Sequence, residues 1–431
     1  MGARDLVVPW GAAYGWAVRA ARWALPRVAR GSSKLAAGVR LREEGGTRLR
    51  AWAVARREVG RPLVWVHAPS VGEGWQAQAV LQALRRRRPD VQVVYTYFSP
   101  SAAGWAARAV PADVVDALPW DLPERVDPLV TLLRPALLVF TKTEVWPALL
   151  AAARRVGARA ALVAATLPPT SSRWRGPARA FLGPLHRHLD LVAAVSQADA
   201  ARYLAWGLSA ERVLALGDPR VDQVIARAAA TDAARWAPLR QEATAVLVAG
   251  STWPADEARL VPALAALRAR FPGLRAVIVP HEPTPAHLAA LEARLRAAGL
   301  PYARLGAASP LPPVVVVDRM GVLGELYAVA DVAYVGGGFG RAGLHSVLEP
   351  AAFGVPILVG PRHGNAREAA ALLAQGGARV AADTAALAAA LAAWLTDDTG
   401  RRRAGVAART YVEAHRGAAD RIAARLEELL G

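Results

Sequence analysis

Residues 331–361 read Asp-Val-Ala-Tyr-Val-Gly-Gly-Gly-Phe-Gly-Arg-Ala-Gly-Leu-His-Ser-Val-Leu-Glu-Pro-Ala-Ala-Phe-Gly-Val-Pro-Ile-Leu-Val-Gly-Pro. The apolar run from Asp331 to Val335 has the length and composition of a buried strand. It empties into a glycine loop, Gly336 to Gly340. A helix is expected to start near His345 and to carry Glu349 on its second turn, and Pro356–Val359 reads as a second buried strand. Glycines let backbone N–H groups close on an anion, and a helix N-terminus adds partial positive charge. A carboxylate just inside that helix can accept hydrogen bonds from a ribose. Strand, phosphate loop, helix and ribose clamp together describe a site for an activated nucleotide. A glycine-rich loop by itself describes only a tight strand-to-helix turn; the spacing of His345, Glu349 and Pro350 tips the balance toward the site.

The same alternation runs through the whole chain. Short apolar runs at Leu63–His67, Val91–Tyr97, Ala136–Phe140, Ala160–Ala164 and Leu191–Val195 form a first series of expected strands. Ala243–Ala249, Ala276–Pro280, Val314–Val317, Val332–Val335 and Pro356–Val359 form a second. Helical segments rich in Ala, Leu and Arg separate them. Strands alternating with helices give parallel sheets covered on both faces. The expected fold is therefore α/β, with two Rossmann-like domains whose strand C-ends face one central cleft. The domains are read as 31–222 and 243–408, joined by a polar hinge at 223–242 and closed by a tail helix at 409–431. Residues 1–30 stand apart as a membrane-associating segment.

Composition narrows the class. A chain of 431 residues can hold two full cores. No apolar run is long enough and free of charge enough to span a bilayer, and with no cysteine there is neither a disulfide nor a thiolate metal site. The net charge of +18 calls for an anionic partner, and nucleic acid, anionic lipid and phosphorylated sugars all qualify. Aromatic and basic residues do not interleave as a nucleic-acid stacking surface requires, so no nucleic acid is expected. Almost all the positive charge is arginine, Lys34 and Lys142 being the only lysines. The run Arg85–Arg88 closes an expected helix and reads as a solvated face that complements the helix dipole.

Leu6–Val18 is apolar but too short to cross a membrane. Arg19, Arg22, Arg27, Arg30, Lys34, Arg40 and Arg42 follow it, with Trp10, Tyr14, Trp16 and Trp23 interspersed. Aromatics suit the headgroup boundary and cations an anionic leaflet. Residues 6–30 are read as an amphipathic segment lying on the cytoplasmic face of the inner membrane. A helix docked on the protein's own body explains the pattern equally well, and a helix shared between body and lipid satisfies both.

Several strand ends carry chemistry. After Leu63–His67 come Ser70, Val71, Gly72, Glu73 and Gly74, which place Glu73 at a helix start, flanked by glycines and thinly covered, where it can take a proton from a sugar hydroxyl. After Ala136–Phe140 come Lys142 and Glu144, a cation and an anion expected to point to one side. After Ala243–Ala249 come Ser251 and Thr252, which can cap the next helix or hold a phosphate. Pro280 and His281 follow another strand, and Met320, Gly321 and Val322 a further one. No Asp-x-Asp pair occurs, so no metal and no cofactor are expected.

These motifs, in this order, resemble the 3-deoxy-D-manno-oct-2-ulosonic acid (Kdo) transferase family over about residues 14–430. Ser70-Val71-Gly72-Glu73 matches the family's Ser-Val-Gly-Glu, and Thr143-Glu144-Val145-Trp146-Pro147 its Thr-Glu-Leu-Trp-Pro. Gly217 to Asp222 resembles Gly-Asn-x-Lys-Phe-Asp, and Gly250-Ser251-Thr252 resembles Ala-Ser-Thr. Val335 to Phe339 with His345 to Pro350 resembles Val-Gly-Gly-Ser with His-Asn-Pro-Leu-Glu-Pro. The resemblance implies a GT-B glycosyltransferase that inverts the sugar without a metal, using CMP-Kdo as donor and a lipid A precursor as acceptor. It implies Glu73 as general base, with Glu144 and Arg220 stabilising the transition state. CMP would lie against Pro280, His281, Met320, Gly321, Val322, Ser346, Val347, Leu348 and Glu349. Read from the residues themselves, Ser70, Gly72, Ser251, Thr252, Gly338 and His345 join the expected substrate site, and Lys142, a lysine kept in an arginine-rich chain, is expected to hold the Kdo carboxylate or an acceptor phosphate with Glu144 orienting it. The chain departs from the family at His281-Glu282, where Arg-His is usual, at Val322 for Glu, at Ser346 for Asn and at Arg220 for Lys. A transferase using another nucleotide sugar, or a non-catalytic membrane-bound scaffold on the same fold, are the alternative readings.

Overall fold

The computed structural model describes residues 11–29, 33–174 and 176–431. The chain divides into two compact units, one of residues 1–223 with 417–431 and one of 224–416. The division falls inside the helix Pro219–Ala230.

The first unit holds β1 (Leu63–His67), β2 (Gln92–Tyr97), β3 (Val114–Ala117), β4 (Leu137–Thr141), β5 (Arg159–Ala165), β6 (Leu191–Ala194) and β7 (Val213–Ala215). The second holds β8 (Ala245–Thr252), β9 (Leu274–Pro280), β10 (Tyr302–Arg304), β11 (Val314–Val316), β12 (Val332–Val335), β13 (Ile357–Val359) and β14 (Ala378–Val380). The sheet orders are β3-β2-β1-β4-β5-β6-β7 and β10-β11-β9-β8-β12-β13-β14, every pairing parallel. Parallel strands covered on both faces need side chains that are apolar on both faces. All five residues of β1 and all five of β4 are accordingly buried.

Ten of these strands lie where the apolar runs place them. The four without such a run, β3, β7, β10 and β14, are the four sheet edges. An edge strand meets solvent along one side, so its apolar signal is short or broken; β7 reads only Val-Leu-Ala, and β14 reads Ala-Arg-Val with only Ala378 buried.

Three other expectations are corrected. The tail is not one helix: Asp398–Ala414 ends, and Ala418–Leu430 begins after a break at which the Asp222 carboxylate accepts from Gly417 N and Ala419 N. This last helix packs on Val71–Arg87, burying Ile422 and Leu426, each worth about 1.5–3 kcal/mol. The arginine run closes its helix and stays exposed at Arg86 and Arg87 as expected, but it is not unpartnered, since Arg86 pairs with Asp420 and Arg87 with Glu427 on that same helix. The helix after the glycine loop is Leu348–Ala352, three residues later than expected, so Glu349 sits in its first turn.

The N-terminal helix Gly11–Val28 is docked on the first unit; residues 1–10 and 30 of the expected membrane segment lie outside the described residues. Tyr14 donates to Asp121 at 2.9 Å, Arg19 grips Glu124 and Arg22 grips Glu43, each through two hydrogen bonds. The cations assigned to a lipid leaflet, Arg19 and Arg22, are therefore committed to the protein. Trp16 and Trp23 point away, 71% and 64% exposed.

Candidate active site

In the first unit the site is built at the C-terminal ends of β1 and β4, which are neighbours in the sheet. Helix Val71–Arg87 starts there with Ser70 as its N-cap; Ser70 Oγ accepts from Glu73 N at 3.5 Å and donates back to the Glu73 carboxylate. Glu73 Oε1 also lies 3.3 Å from Lys142 Nζ. The carboxylate is thus held by a hydroxyl and an ammonium, with 18% of its side chain exposed. That is better covered than the flanking glycines suggest, because Gly74 is not open space. A methyl group there would fall 2.2 Å from the Trp105 ring, so glycine is needed to admit the tryptophan. Gly72 is exposed.

Lys142 and Glu144 do not pair as the strand alternation implies. Lys142 has φ 65°, and this left-handed turn breaks the alternation. Its ammonium goes to Glu73, while Glu144 Oε1 faces Arg173 Nη2 at 3.8 Å. Burial raises the Glu144 pKa, Arg173 pulls it back, and the charge of Glu73 pushes it up again. Glu73, Lys142 and Glu144 therefore form one electrostatic group with Arg173, a member with no sequence motif of its own. Arg220 follows β7, at the sheet edge three strands beyond β4. There its Nε and Nη2 lie 2.8 and 2.6 Å from Asp218 Oδ2.

In the second unit the carried-over residues gather around the end of β8. Trp253, not Ser251 or Thr252, occupies the N-cap position of helix Pro254–Leu267, and its backbone N donates to Asp256 in the first turn. Thr252 is fully buried and donates to Glu257 at 2.9 Å, which removes its hydroxyl from any phosphate. Thr252 O accepts from His281 N. His281 stacks on His345 with centroids 4.2 Å apart, and Trp253 Nε1 donates to His345 Nε2 at 2.9 Å. Burial lowers the pKa of both histidines, that of His345 to about 4, helped by His281. Trp253, His281 and His345 are thus a neutral aromatic group at neutral pH. Trp253 was not among the expected site residues, although it directly follows Thr252.

Two amides of the glycine loop are held by a carboxylate of the protein itself. Asp256, fully buried, accepts from Gly337 N at 2.9 Å, Phe339 N at 3.4 Å, Trp253 N at 2.9 Å and the Tyr334 hydroxyl at 2.7 Å. The anion those amides hold belongs to the protein. The glycines are demanded by backbone packing: a methyl group on Gly336 would meet Ser251 O at 2.2 Å, and one on Gly338 the Gly360 backbone at 2.7 Å.

Glu349 Oε1 accepts from Arg227 Nη1 at 2.9 Å, and burial raises its pKa against the pull of that arginine. Burial, and after it the charge of Glu349, pushes the Tyr327 phenol well above its ordinary range. Arg227 also lies against Gly324, just past Met320, Gly321 and Val322, so this loop and Glu349 are joined. Met320, Gly321 and Ser346 are exposed and His281, Val322, His345 and Glu349 half-buried, whereas Pro280, Gly338, Val347 and Leu348 are buried and offer no side-chain surface to a ligand. A cavity of about 670 Å³ lies to one side, lined by Trp236, Leu239, Leu305, Leu311 and Arg319, and meets these residues only at Val322.

The fold resembles that of the UDP-GlcNAc 2-epimerase of Neisseria meningitidis, solved bound to UDP-GlcNAc. The likeness spans 85% of this chain and 100% of that one, with a TM-score of 0.63 and 13% identity, and it defines the fold class as GT-B. Sequence carries the assignment further. The family model for 3-deoxy-D-manno-octulosonic-acid transferase (kdotransferase) matches residues 43–223. The 3-deoxy-D-manno-octulosonic acid transferase of Bordetella pertussis is 35% identical over 89% of this chain and 90% of that protein. That of Haemophilus influenzae is 27% identical over 83% and 85%. The chain belongs to the Kdo transferase family and is a glycosyltransferase.

Proposed function

We propose that this chain moves Kdo from CMP-Kdo to a lipid A precursor of the lipid IVA type in lipopolysaccharide core synthesis, inverting the anomeric centre and using no metal. The observation that carries this reading is the Glu73 carboxylate, fixed by Ser70 and Lys142 at the end of β1. A glucosamine hydroxyl is a poor nucleophile at neutral pH. Glu73 takes its proton as the oxygen bonds to the Kdo anomeric carbon and the carbon–oxygen bond to CMP breaks, a contribution of roughly 10²–10⁴-fold. Lys142, Glu144 and Arg173 set the field around that carboxylate, and Arg220 offers positive charge to the departing phosphate. The donor is read by the second unit: His281 and His345 present neutral aromatic faces, Ser346 a hydroxyl and Glu349 a carboxylate for ribose. Support for metal independence is the lack of an Asp-x-Asp pair.

The helix Gly11–Val28 supports peripheral binding to an anionic membrane surface on the cytoplasmic side. No helix among the described residues is long and apolar enough to cross a membrane. Trp16 and Trp23 are seven residues apart and share an outward face with Ala12, Ala13 and Ala20. Replacing both tryptophans with Ser should weaken sedimentation with anionic vesicles; unchanged sedimentation would move the anchor elsewhere.

The direct test incubates the protein with CMP-Kdo and a tetraacylated disaccharide bisphosphate and weighs the lipid product. A product heavier by Kdo is expected. Transfer from a UDP-sugar in place of CMP-Kdo would overturn the donor assignment.

A further inference from the structure

Arg42, on the helix Lys34–Glu44, is a buried cation with no counter-ion among the described residues. It is 8% exposed. Its guanidinium lies 3.6 Å from the centroid of Phe98 and 5.3 Å from that of Trp120. Nη1 donates to Gly38 O at 2.7 Å, and Nε is buried without an acceptor. The acids around it are engaged elsewhere. Glu43 holds Arg22 and the Trp120 indole, Asp121 holds Tyr14 and the amides of Ala148 and Leu149, and Asp116 holds the amides of Arg48, Leu49 and Ala117. Desolvation accordingly pulls the Arg42 pKa down, with no acid restoring it. A desolvated guanidinium with unused donors is costly unless a ligand completes it.

The surroundings indicate which ligand. A methyl group on Gly38 would lie 3.1 Å from Arg42 Nη1 and 3.8 Å from Pro100 Cγ, so the guanidinium is beside the turn Pro100–Ala102. That turn carries the exposed hydroxyls of Ser99 and Ser101, 2.8 Å apart. Phe98 leads from Arg42 to Trp146, 4.9 Å away, and Trp146 follows Glu144 by two residues. The group therefore flanks the Glu73–Lys142–Glu144 site within the same unit. One guanidinium and two adjacent hydroxyls are donors for a tetrahedral oxyanion.

We propose that Arg42, with Ser99 and Ser101, binds a phosphate monoester of the acceptor and sets the acceptor's orientation before Glu73. This rests on the transferase reading above and deepens it, by assigning a phosphate-selective place to the acceptor side. The same donors would also take the phosphate monoester of a phosphatidic acid headgroup, and the test separates the two sources.

Kdo transfer is measured with a disaccharide acceptor carrying its phosphates and with the same acceptor lacking them. The ratio of kcat/KM for the two is expected to be at least tenfold in the wild type, to fall toward one in Arg42→Met and to be partly restored in Arg42→Lys. A wild-type ratio in a folded Arg42→Met overturns the proposal. If Arg42→Met does not fold, Ser99→Ala/Ser101→Ala decides: a several-fold fall in the ratio supports the site, and an unchanged ratio overturns it. Binding to vesicles containing phosphatidic acid is measured in parallel. Loss of that binding in Arg42→Met with an unchanged acceptor ratio assigns the site to the bilayer and overturns the acceptor. Failure of the wild type to transfer Kdo to either acceptor would instead remove the transferase reading itself.

Discussion

Asp256→Asn tests whether the glycine loop of the second unit is held by the protein's own anion. The change is isosteric and replaces one carboxylate oxygen with a donor. Keeping the remaining oxygen on Trp253 N and Gly337 N, both at 2.9 Å, turns the new amide toward the Tyr334 hydroxyl and Phe339 N. Tyr334 can rotate its hydroxyl to accept; Phe339 N loses its acceptor. Two bonds fall from charge-assisted to neutral, about 1 kcal/mol each, and one lost acceptor adds about 1 kcal/mol. The total is about 3 kcal/mol, which lowers the transition of a unit this size by roughly 6–12 °C. Calorimetry reads that shift, and hydrogen exchange reads the Gly337 amide directly. CMP titration separates the two readings of the loop. If its amides held the nucleotide phosphate, removing the negative charge of Asp256 would strengthen CMP binding. If they hold Asp256, the variant loosens the loop and weakens it. A melting temperature within about 1 °C of wild type together with tighter CMP binding would refute the reasoning.

Glu73→Gln should lower turnover at least about 100-fold with little change in CMP affinity; near-normal turnover removes the base assignment. Lys142 fixes the Glu73 carboxylate from 3.3 Å, so Lys142→Met should lower kcat/KM roughly tenfold through lost positioning of the base. Lys142→Arg should do as much without a shift in melting temperature, because a guanidinium fork grips both oxygens of Glu73; wild-type kinetics in Lys142→Arg would mean that any cation serves. His345, with its pKa lowered to about 4, should stay neutral by NMR down to about pH 5. The folded state then binds fewer protons than the unfolded chain between about pH 4 and 6.5. The stability from keeping this ring neutral is present above about pH 6.5 and is lost as pH falls toward 4, and a ring midpoint above pH 6 would contradict the buried stack.

The central strands of both sheets were legible because burial on two faces writes an unbroken apolar run. The edges were not, because Tyr302–Arg304 and Ala378–Val380 meet solvent along one side and need no such run. The start of the helix carrying Glu73 was legible from Ser70 and Glu73 three residues apart. The partners of the site residues were not, since they come from distant segments: Arg173 for Glu144, Arg227 for Glu349, Asp121 for Tyr14. Strand alternation also failed at Lys142, where a left-handed backbone turns the side chain to Glu73, and no residue type announces that turn as a glycine would.

The glycine loop shows why a motif must be read together with its internal contacts. Gly-Gly-Gly after a strand satisfies a phosphate cradle and a tight backbone crossing equally well, because both require the absence of Cβ. The deciding residue is Asp256, in the first turn of a helix some eighty residues earlier, where an acid otherwise only complements the helix dipole. Its two oxygens use the Gly337 and Phe339 amides that a nucleotide phosphate would need. On the proposed reading, recognition of the donor phosphate would fall to exposed or half-buried groups around the loop, His281, His345 and Ser346. Position 281 holds no arginine, so on that reading the phosphate would meet a neutral imidazole stack there. Donor affinity in this chain should accordingly depend less on salt than an arginine-bearing site would, and replacing His281 with Arg should restore that salt dependence.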